Sequence, residues 1–411
     1  MSSPVSRVMM VFNAALALMA LAVLSLHVLQ TPETTRDLVD TTLKPEAAAK
    51  ALNALTPEAR AALISRESDQ LLREPLDLLA LSNLSVLKSL NGEQKAADAM
   101  VLEAARRSLR DAQTQVSAIR LSLAANDYDK AFYHLDGLLT SQPEIATSTF
   151  QALLAIPNRS EVAKAMAKLL LRDPPWRNTF MNWVAASDTS GLLAYEIFNS
   201  LKKNDGEIRD WEMRTYLGNQ FNFKNHERAY FVWLDSLTNE ELKKAGGIFD
   251  GDFDLKPRNL LFDWTIDPIS NADVGVAARP EDIKNKSLRL LFFNSTKPFS
   301  HVYQFLRLPA GRHSLSGEWT ASNLRTPAGL FWTLGCIEGG GQVMQSEAFA
   351  QSAPWSQFKA EINIPEANCQ TQMLRLVTAS AAVLDAAIDG ELRFDSLKIS
   401  TALPGSGTAQ P

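Results

Sequence analysis

Two kinds of apolar spacing divide this chain. From about Thr34 to Ala245, apolar residues recur at three- and four-residue steps, as in Leu71, Leu72, Leu76, Leu79 and Leu84, which is the period of an amphipathic helix. The stretch is rich in Ala, Leu, Glu, Lys and Arg, all strong helix formers. Thr56-Pro57-Glu58 reads as an N-cap followed by proline at the first helical position. Asn91-Gly92 and Asp173-Pro174-Pro175 break the text into short segments. The pattern predicts antiparallel helix pairs stacked into a layer. At Gly246-Gly247 the period changes to two. Short alternating runs follow, among them SLRLLFFN (287–294), HVYQFLRL (301–308), RHSLSGEW (312–319), GLFWTLGCI (329–337), FKAEINI (358–364) and ELRFDSLKI (391–399). Many short strands separated by turns predict a β-sandwich.

A third pattern lies near the N-terminus. Val8 to Leu29 carries no formally charged residue, and about 20 apolar residues suffice to span a bilayer core. Arg7 precedes the run, and Glu33, Arg36 and Asp37 follow it, so the positive-inside bias predicts an inside N-terminus and an exported bulk. Ala15-Leu16-Ala17 and Ala20-Leu21-Ala22 have the form of a cleavage site, but both fall inside the run. The expectation is an uncleaved single-pass anchor, with a cleaved signal peptide as the alternative. The predicted fold class is thus α+β and multidomain. A cytoplasmic tip and transmembrane anchor occupy 1–30, a helical domain 31–245, a β-sandwich 246–401, and a polar, disordered tail 402–411.

Composition narrows the functions. The chain has 411 residues, 46% of them apolar, and a formal charge of −5. No basic stripe with interleaved aromatics appears, so nucleic acid is not an expected partner. The five histidines are scattered without HExxH or Cys/His spacing. Only Cys336 and Cys369 could pair. An exported compartment permits a disulfide between them; two free core thiols are the alternative. No Gly-x-Ser-x-Gly elbow or phosphate loop is present, and Gly339-Gly340-Gly341 reads as a hairpin turn. A glycosidase needs two carboxyls across a cleft, and nothing marks a pair such as Glu318 and Glu347. The chain is therefore expected not to be an enzyme.

In the helical part, AANDYDKAFYHLDGLLTSQPE (124–144) resembles the second half of a tetratricopeptide repeat. Tyr128 falls near the turn, Ala131 at the small crossing position, and Pro143 closes the unit. YLGNQFNFKNHERAYFVWLDSL (216–237) is a second echo. The Trp, Leu and Gly expected before the first turn are not in place, and an ordinary helical bundle is the alternative. Stacked pairs would offer a concave face to a protein partner. PPWRNTFMNW (174–183) has the composition of a binding hot spot and equally of a packed joint between repeats, the reading preferred here.

The β region resembles a carbohydrate-binding module of the galactose-binding-like jelly-roll superfamily. FDGDFD (249–254) is similar to the Asn-Gly-x-Phe-Glu opening of such modules, with Asp250 in place of Asn. QFLRLPAGRHSLSGEWTAS (304–322) is similar to their strand, Pro-Gly turn and aromatic-ended strand, and LRFDSLKI (392–399) to their last strand. The resemblance implies a structural calcium held by Asp254 and Asp395, with no other cofactor. Read from the residues alone, Asp250, Asp252 and Asp254 would share the wet face of a strand.

The whole layout also resembles a group of proteobacterial proteins, through RSLRD (107–111), DPPWRNTF (173–180), LFDWTI (261–266) and GLFWTLGC (329–336). This implies a Gram-negative inner-membrane protein with its bulk in the periplasm, linked to extracellular polysaccharide.

Sugar sites stack aromatic rings on pyranoses beside polar hydrogen-bonders. Trp319 ends a strand and Trp355 follows Pro354, so these two are the candidate platforms, with Arg325 and Glu347 as polar companions and core packing as the alternative for each ring. The expected function is a non-catalytic adaptor, with helices for an envelope protein and a jelly roll for glycan. A purely protein-binding assembly factor and a glycan hydrolase are the alternatives.

Overall fold

The computed structural model describes residues 56–378 and 387–401; the anchor expected at Val8 to Leu29 and the tail expected at 402–411 lie outside the described residues. Among the described residues, no helix is long and apolar enough to cross a membrane. The chain divides into two compact units between Ile208 and Arg209.

The first unit is helical. Its helices are α1 (Pro57–Arg73), α2 (Leu78–Leu90), α3 (Gln94–Arg107), α4 (Ala112–Ala124), α5 (Tyr128–Ser141), α6 (Ala146–Leu153), α7 (Arg159–Leu170), α8 (Arg177–Ser187) and α9 (Leu192–Lys203). The caps fall where short polar side chains precede apolar runs. Thr56 Oγ1 accepts from Ala59 N at 3.3 Å and Asp77 Oδ1 from Ala80 N at 3.0 Å. From α1 to α5 each helix packs on the next; further on, α5 also packs on α7, α6 on α8 and α7 on α9. Ala131 on α5 is buried.

The Trp-rich stretch is a packed joint. Phe150 on α6 meets the rings of Trp176, Phe180 and Trp183 at 6.2, 5.1 and 5.5 Å. Trp176 Nε1 donates to Asp136 at 2.9 Å, and the buried Arg177 donates to the carbonyls of Leu170 and Glu207 at 3.1 and 2.8 Å.

The second unit opens with three more helices, α10 (Asp210–Asn222), α11 (His226–Asp235) and α12 (Asn239–Lys243), ahead of the Gly246 change in period. The reason is packing. Phe221 lies 4.5 Å from Phe305, and Trp233 lies 5.2 and 5.6 Å from Phe249 and Phe262. These helices complete their apolar faces on the β region, which a reading of periodicity does not reveal.

The strands are β1 (Thr265–Ile266), β2 (Ala272–Ala278), β3 (Lys286–Ser295), β4 (Val302–Leu306), β5 (Gly311–Cys336), β6 (Gln342–Gln345), β7 (Phe349–Ile364), β8 (Gln372–Thr378) and β9 (Ile388–Thr401). All pairings are antiparallel. β5 turns the corner between two layers, as sandwich strands do at irregularities. Its first part, Gly311 to Trp319, pairs with β7 and β9; its last part, Leu330 to Cys336, pairs with β8, and Thr333 to Gly335 also with β6. One layer thus runs β2-β3-β9-β5-β7 and the other β1-β4-β8-β5-β6. Their inner faces meet in a shared aromatic core, where Trp332 of the second layer lies 5.3 Å from Phe394 of the first.

The stretch from Phe249 to Leu255 is a turn and not the strand expected from its alternation. Asp250 and Phe253 have positive φ, 48° and 53°. The Asp250 carboxylate turns inward and accepts from the N–H groups of Asp254 and Leu255 at 3.1 and 3.0 Å, while Asp252 and Asp254 stay exposed. The three carboxylates therefore do not share one face. The turn is clamped to the last strand, where Leu397 N donates to Gly251 O at 2.9 Å. A Cβ on Gly251 would meet Leu397 O at 1.8 Å, so only glycine permits the approach. The amide of the buried Gln304 bonds both N and O of Phe249, at 2.9 and 3.0 Å.

Candidate functional site

The outward face of the β2-β3-β9-β5-β7 layer is polar for a reason visible in the alternation of β5. His313, Leu315 and Trp319 point inward, and Ser314, Ser316, Glu318 and Thr320 point outward. Antiparallel partners share a face. Glu318 faces Asp395, Thr320 faces Arg393, and Arg393 faces Arg289, so these side chains form one surface. On β7, Trp355 and Gln357 are out of phase with the inward Phe358 and Ala360, which adds an indole to the surface.

Its centre is Arg279, in the loop after β2. The guanidinium lies 3.8 Å from the centroid of the Trp355 ring. Its Nε donates to Asp395 Oδ2 at 2.7 Å, and Nη2 donates to the same oxygen and to Glu318 Oε2, the latter at 3.3 Å. Glu281 approaches Nη1 at 3.9 Å and accepts from Trp355 Nε1. One cation thus gathers three carboxylates and an aromatic ring. Beside it, Arg289 reaches Asp273 at 3.0 Å and Glu391 at 3.4 Å, while Arg393 pairs with Glu391 and donates to Ala278 O at 2.9 Å.

Burial pushes the Asp395 carboxyl above the usual range, against the opposing pull of Ser396 N–H and Arg279. Burial likewise raises Asp250, and raises Asp263 to about 6 despite hydrogen bonds from the N–H groups of Arg258 and Trp264. At Glu338, burial also acts upward but is outweighed by bonds from His226 and Thr371 N–H, so its carboxyl is lowered.

The sequence candidates separate. Trp355 is part-buried on the charged face. Trp319 is 8% exposed, points into the core and packs on Phe349 at 4.9 Å. Arg325 is exposed and pairs with Asp389 at 2.9 Å, at the far end of the same layer. Glu347 is exposed in the connection between β6 and β7, whereas Glu318 lies within β5 and reaches Arg279. Asp254 is paired with Lys244, and Asp395 with Arg279, so each carboxylate of the expected calcium pair has a cation of its own. Among the described residues, no group of three or more His, Cys, Asp or Glu is placed to hold a metal. Cys336 and Cys369 form a disulfide. Arg279 and Glu281 escaped the sequence reading because they sit in a loop with no period, and only the fold carries them to Trp355.

Apart from that face, a cleft of about 320 Å³ beside the disulfide is lined by Arg307, Pro309, Pro365, Glu366, Cys369 and Gln370 among others, with no aromatic ring. It lacks the platform that the face around Trp355 provides.

No family model and no curated protein matches the chain. Among solved structures, the β region is similar to a CBM4 carbohydrate-binding module, with 15% identity over 38% of this chain and 99% of that one, at a TM-score of 0.29. It is also similar to the CBM22-1 xylan-binding domain of Paenibacillus barcinonensis Xyn10C, with 16% identity over 38% and 94% of the two chains and a TM-score of 0.28. A third likeness is to a CBM61 module in complex with β-1,4-galactotriose, with 13% identity over 38% and 100% and a TM-score of 0.27.

Proposed function

We propose that the β-sandwich binds glycan on the outward face around Trp355, and that the whole chain is a non-catalytic, membrane-anchored envelope adaptor. The observation that carries the reading is an indole held among charged groups on the sheet face, one side stacked on Arg279 and its N–H bonded to Glu281. A ring fixed in this way is a rigid platform for the apolar face of a sugar, and the surrounding carboxylates accept hydrogen bonds from its hydroxyls. Catalysis is disfavoured by the placement of the carboxylates. Both oxygens of Asp395 are already engaged, Oδ2 by Arg279 and Oδ1 by Ser396 N–H, so neither is aimed at a ligand.

In this reading the helical unit, a degenerate tetratricopeptide-like solenoid, docks an envelope protein. Val8 to Leu29 anchors the chain in the inner membrane with its bulk in the periplasm, and the role lies in production or export of extracellular polysaccharide. The disulfide supports an oxidising compartment. The rival reading, an assembly factor that binds protein alone, draws on the burial of Trp319.

The test is a glycan array probed with the full chain in detergent, beside the Trp355→Ala variant. The reading expects sugar signals that the variant loses. Signals of equal strength from both proteins, or none from the wild type, would sink it.

A further inference from the structure

The same face has a second feature with no packing explanation. On β3, Phe292 enters the core, whereas its neighbour Phe293 is 55% exposed. A single exposed phenylalanine is ordinary on a protein surface; this one lies beside an ion pair on the layer that carries Trp355. The local backbone aims the ring outward. The register between β3 and β9 slips between Phe292 and Ser295, and Asn294 takes a positive φ of 56°. Alternation along β3 already sets Phe293 on the outward face with Arg289 and Leu291, and the slip follows it.

Two charged groups hold the corner. Asp389 accepts from Asn294 N at 3.2 Å and from Arg325 at 2.9 Å. The Arg325 guanidinium, with help from Asn294 N–H, keeps the Asp389 carboxyl below its usual range, so it stays ionised. Gly390, next in the chain, has φ of 101°, and a Cβ there would lie 2.3 Å from Asn323 O. That contact brings β5 down beside β9 and sets Arg325 next to Asp389. The corner thus holds an exposed ring, an acceptor tied to the backbone beside it, and an exposed arginine paired with that acceptor.

Its separation from Trp355 follows from the register. Trp355 lies near the level of Thr320, which pairs with Arg393, which pairs with Arg289. Phe293 is four residues further along β3 and three strands across. With strands about 4.8 Å apart and about 3.3 Å per residue, the two rings are anchored about 20 Å apart. That is longer than any single sugar ring.

We propose that Phe293, Asp389 and Arg325 form a second carbohydrate contact, so that the face takes the interior of a polysaccharide chain running from Trp355 to Phe293 and not an isolated terminal sugar. The proposal rests on the glycan-binding reading of this layer. The polar groups between the two rings, Arg289, Glu391 and Arg393, line the path. They would meet hydroxyls of successive sugar units.

The test is calorimetric titration of the full chain with two ladders, cello-oligosaccharides and glucosamine oligosaccharides, each from disaccharide to hexasaccharide. The expected result is affinity that rises at least tenfold with length. Phe293→Ala should reduce the hexasaccharide to the disaccharide value and leave the disaccharide unchanged, while Trp355→Ala weakens both. Phe293 is exposed, so its variant should melt as the wild type does. Equal affinity for short and long sugars, or a Phe293→Ala protein with an unaltered ladder, would overturn the second contact and leave the first standing. No binding of either ladder would overturn both.

Discussion

The guanidinium of Arg279 stacks 3.8 Å from the Trp355 ring centroid while it neutralises Asp395, a carboxylate only 1% exposed. The arrangement ties the platform to the fold. A buried carboxylate that loses its cation carries an uncompensated charge, which costs on the order of 3–5 kcal/mol. Arg279→Met should therefore lower stability by about that amount in denaturant melts. Adding Asp395→Asn to it should restore a large part. A double variant no more stable than Arg279→Met alone would show that the pair is not what Arg279 stabilises.

The two tryptophans should respond in opposite ways. Trp319 packs on Phe349 in the core, and removing a buried Trp costs about 3–5 kcal/mol. Trp319→Ala should lose stability on that scale. Trp355→Ala should lose glycan binding by tenfold or more with a smaller change in melting. A Trp355→Ala variant that binds as tightly as wild type would remove the platform.

The charges on the face are layered. The Arg279 side chain is 12% exposed, whereas Glu281 and Glu318 around it are 51% and 36% exposed. With Asp395 matched to Arg279, two carboxylates remain in excess beside Trp355. An anionic ligand would meet their repulsion, in a manner weakened by salt. Oligogalacturonates should therefore bind at least tenfold more weakly than neutral or amino sugars at low ionic strength, and Glu281→Gln with Glu318→Gln should narrow the gap. Tighter binding of the uronates would contradict this layering.

Periodicity was legible where a single period governs burial. The helices from Pro57 onward and the alternation in β5 and β9 follow from it, because one face of each must leave water. Thr56 caps α1 as its place before Pro57 predicts. The turn at Phe249 to Leu255 was not legible as such. Its alternation of Phe and Asp mimics a strand, but the chain bends so that Asp250 can satisfy two N–H groups and Gly251 can touch Leu397. Trp319 and Trp355 looked alike in sequence. Which one faces solvent depends on the strand's phase against the core, and a reading without the partner strands cannot fix that phase. Arg279 joins Trp355 from a loop, and no local pattern encodes a contact over that separation.

The disulfide closes a loop with a sequence separation of 33 residues between Cys336 and Cys369. In the chain-entropy account, a cross-link of this length stabilises the fold by about 3–4 kcal/mol. Cys336→Ser with Cys369→Ser should shift the denaturation midpoint by a corresponding amount, and dithiothreitol should do the same to the wild type. Because the bond lies away from Trp355, binding at temperatures below the lowered midpoint should be preserved. Loss of binding in a still-folded reduced protein would tie the disulfide end to the ligand face.

Asp263 predicts the pH dependence of the second unit. It is buried, and its oxygens accept from the N–H groups of Arg258 and Trp264 at 2.7 and 2.6 Å. Burial nonetheless dominates, and with the nearby charge of Asp250 it raises the carboxyl from 3.8 to about 6. An acid whose folded pKa is raised binds its proton more tightly in the native state than in the unfolded chain. Native protein therefore takes up a proton as pH falls through about 6, and stability from this residue increases until the unfolded chain is protonated as well, near 3.8. The full gain is roughly 3 kcal/mol at about 1.4 kcal/mol per unit. Asp250, raised in the same direction by burial, adds to the trend, so the wild type alone would not isolate the effect. Asp263→Asn cannot titrate and keeps one acceptor for the two N–H groups. Its stability should be lower than wild type at pH 5 by more than at pH 7.5, with the gap opening around pH 6. Stability curves for the two proteins that run parallel across that interval would show that Asp263 is ionised throughout, and that its two backbone hydrogen bonds outweigh its burial.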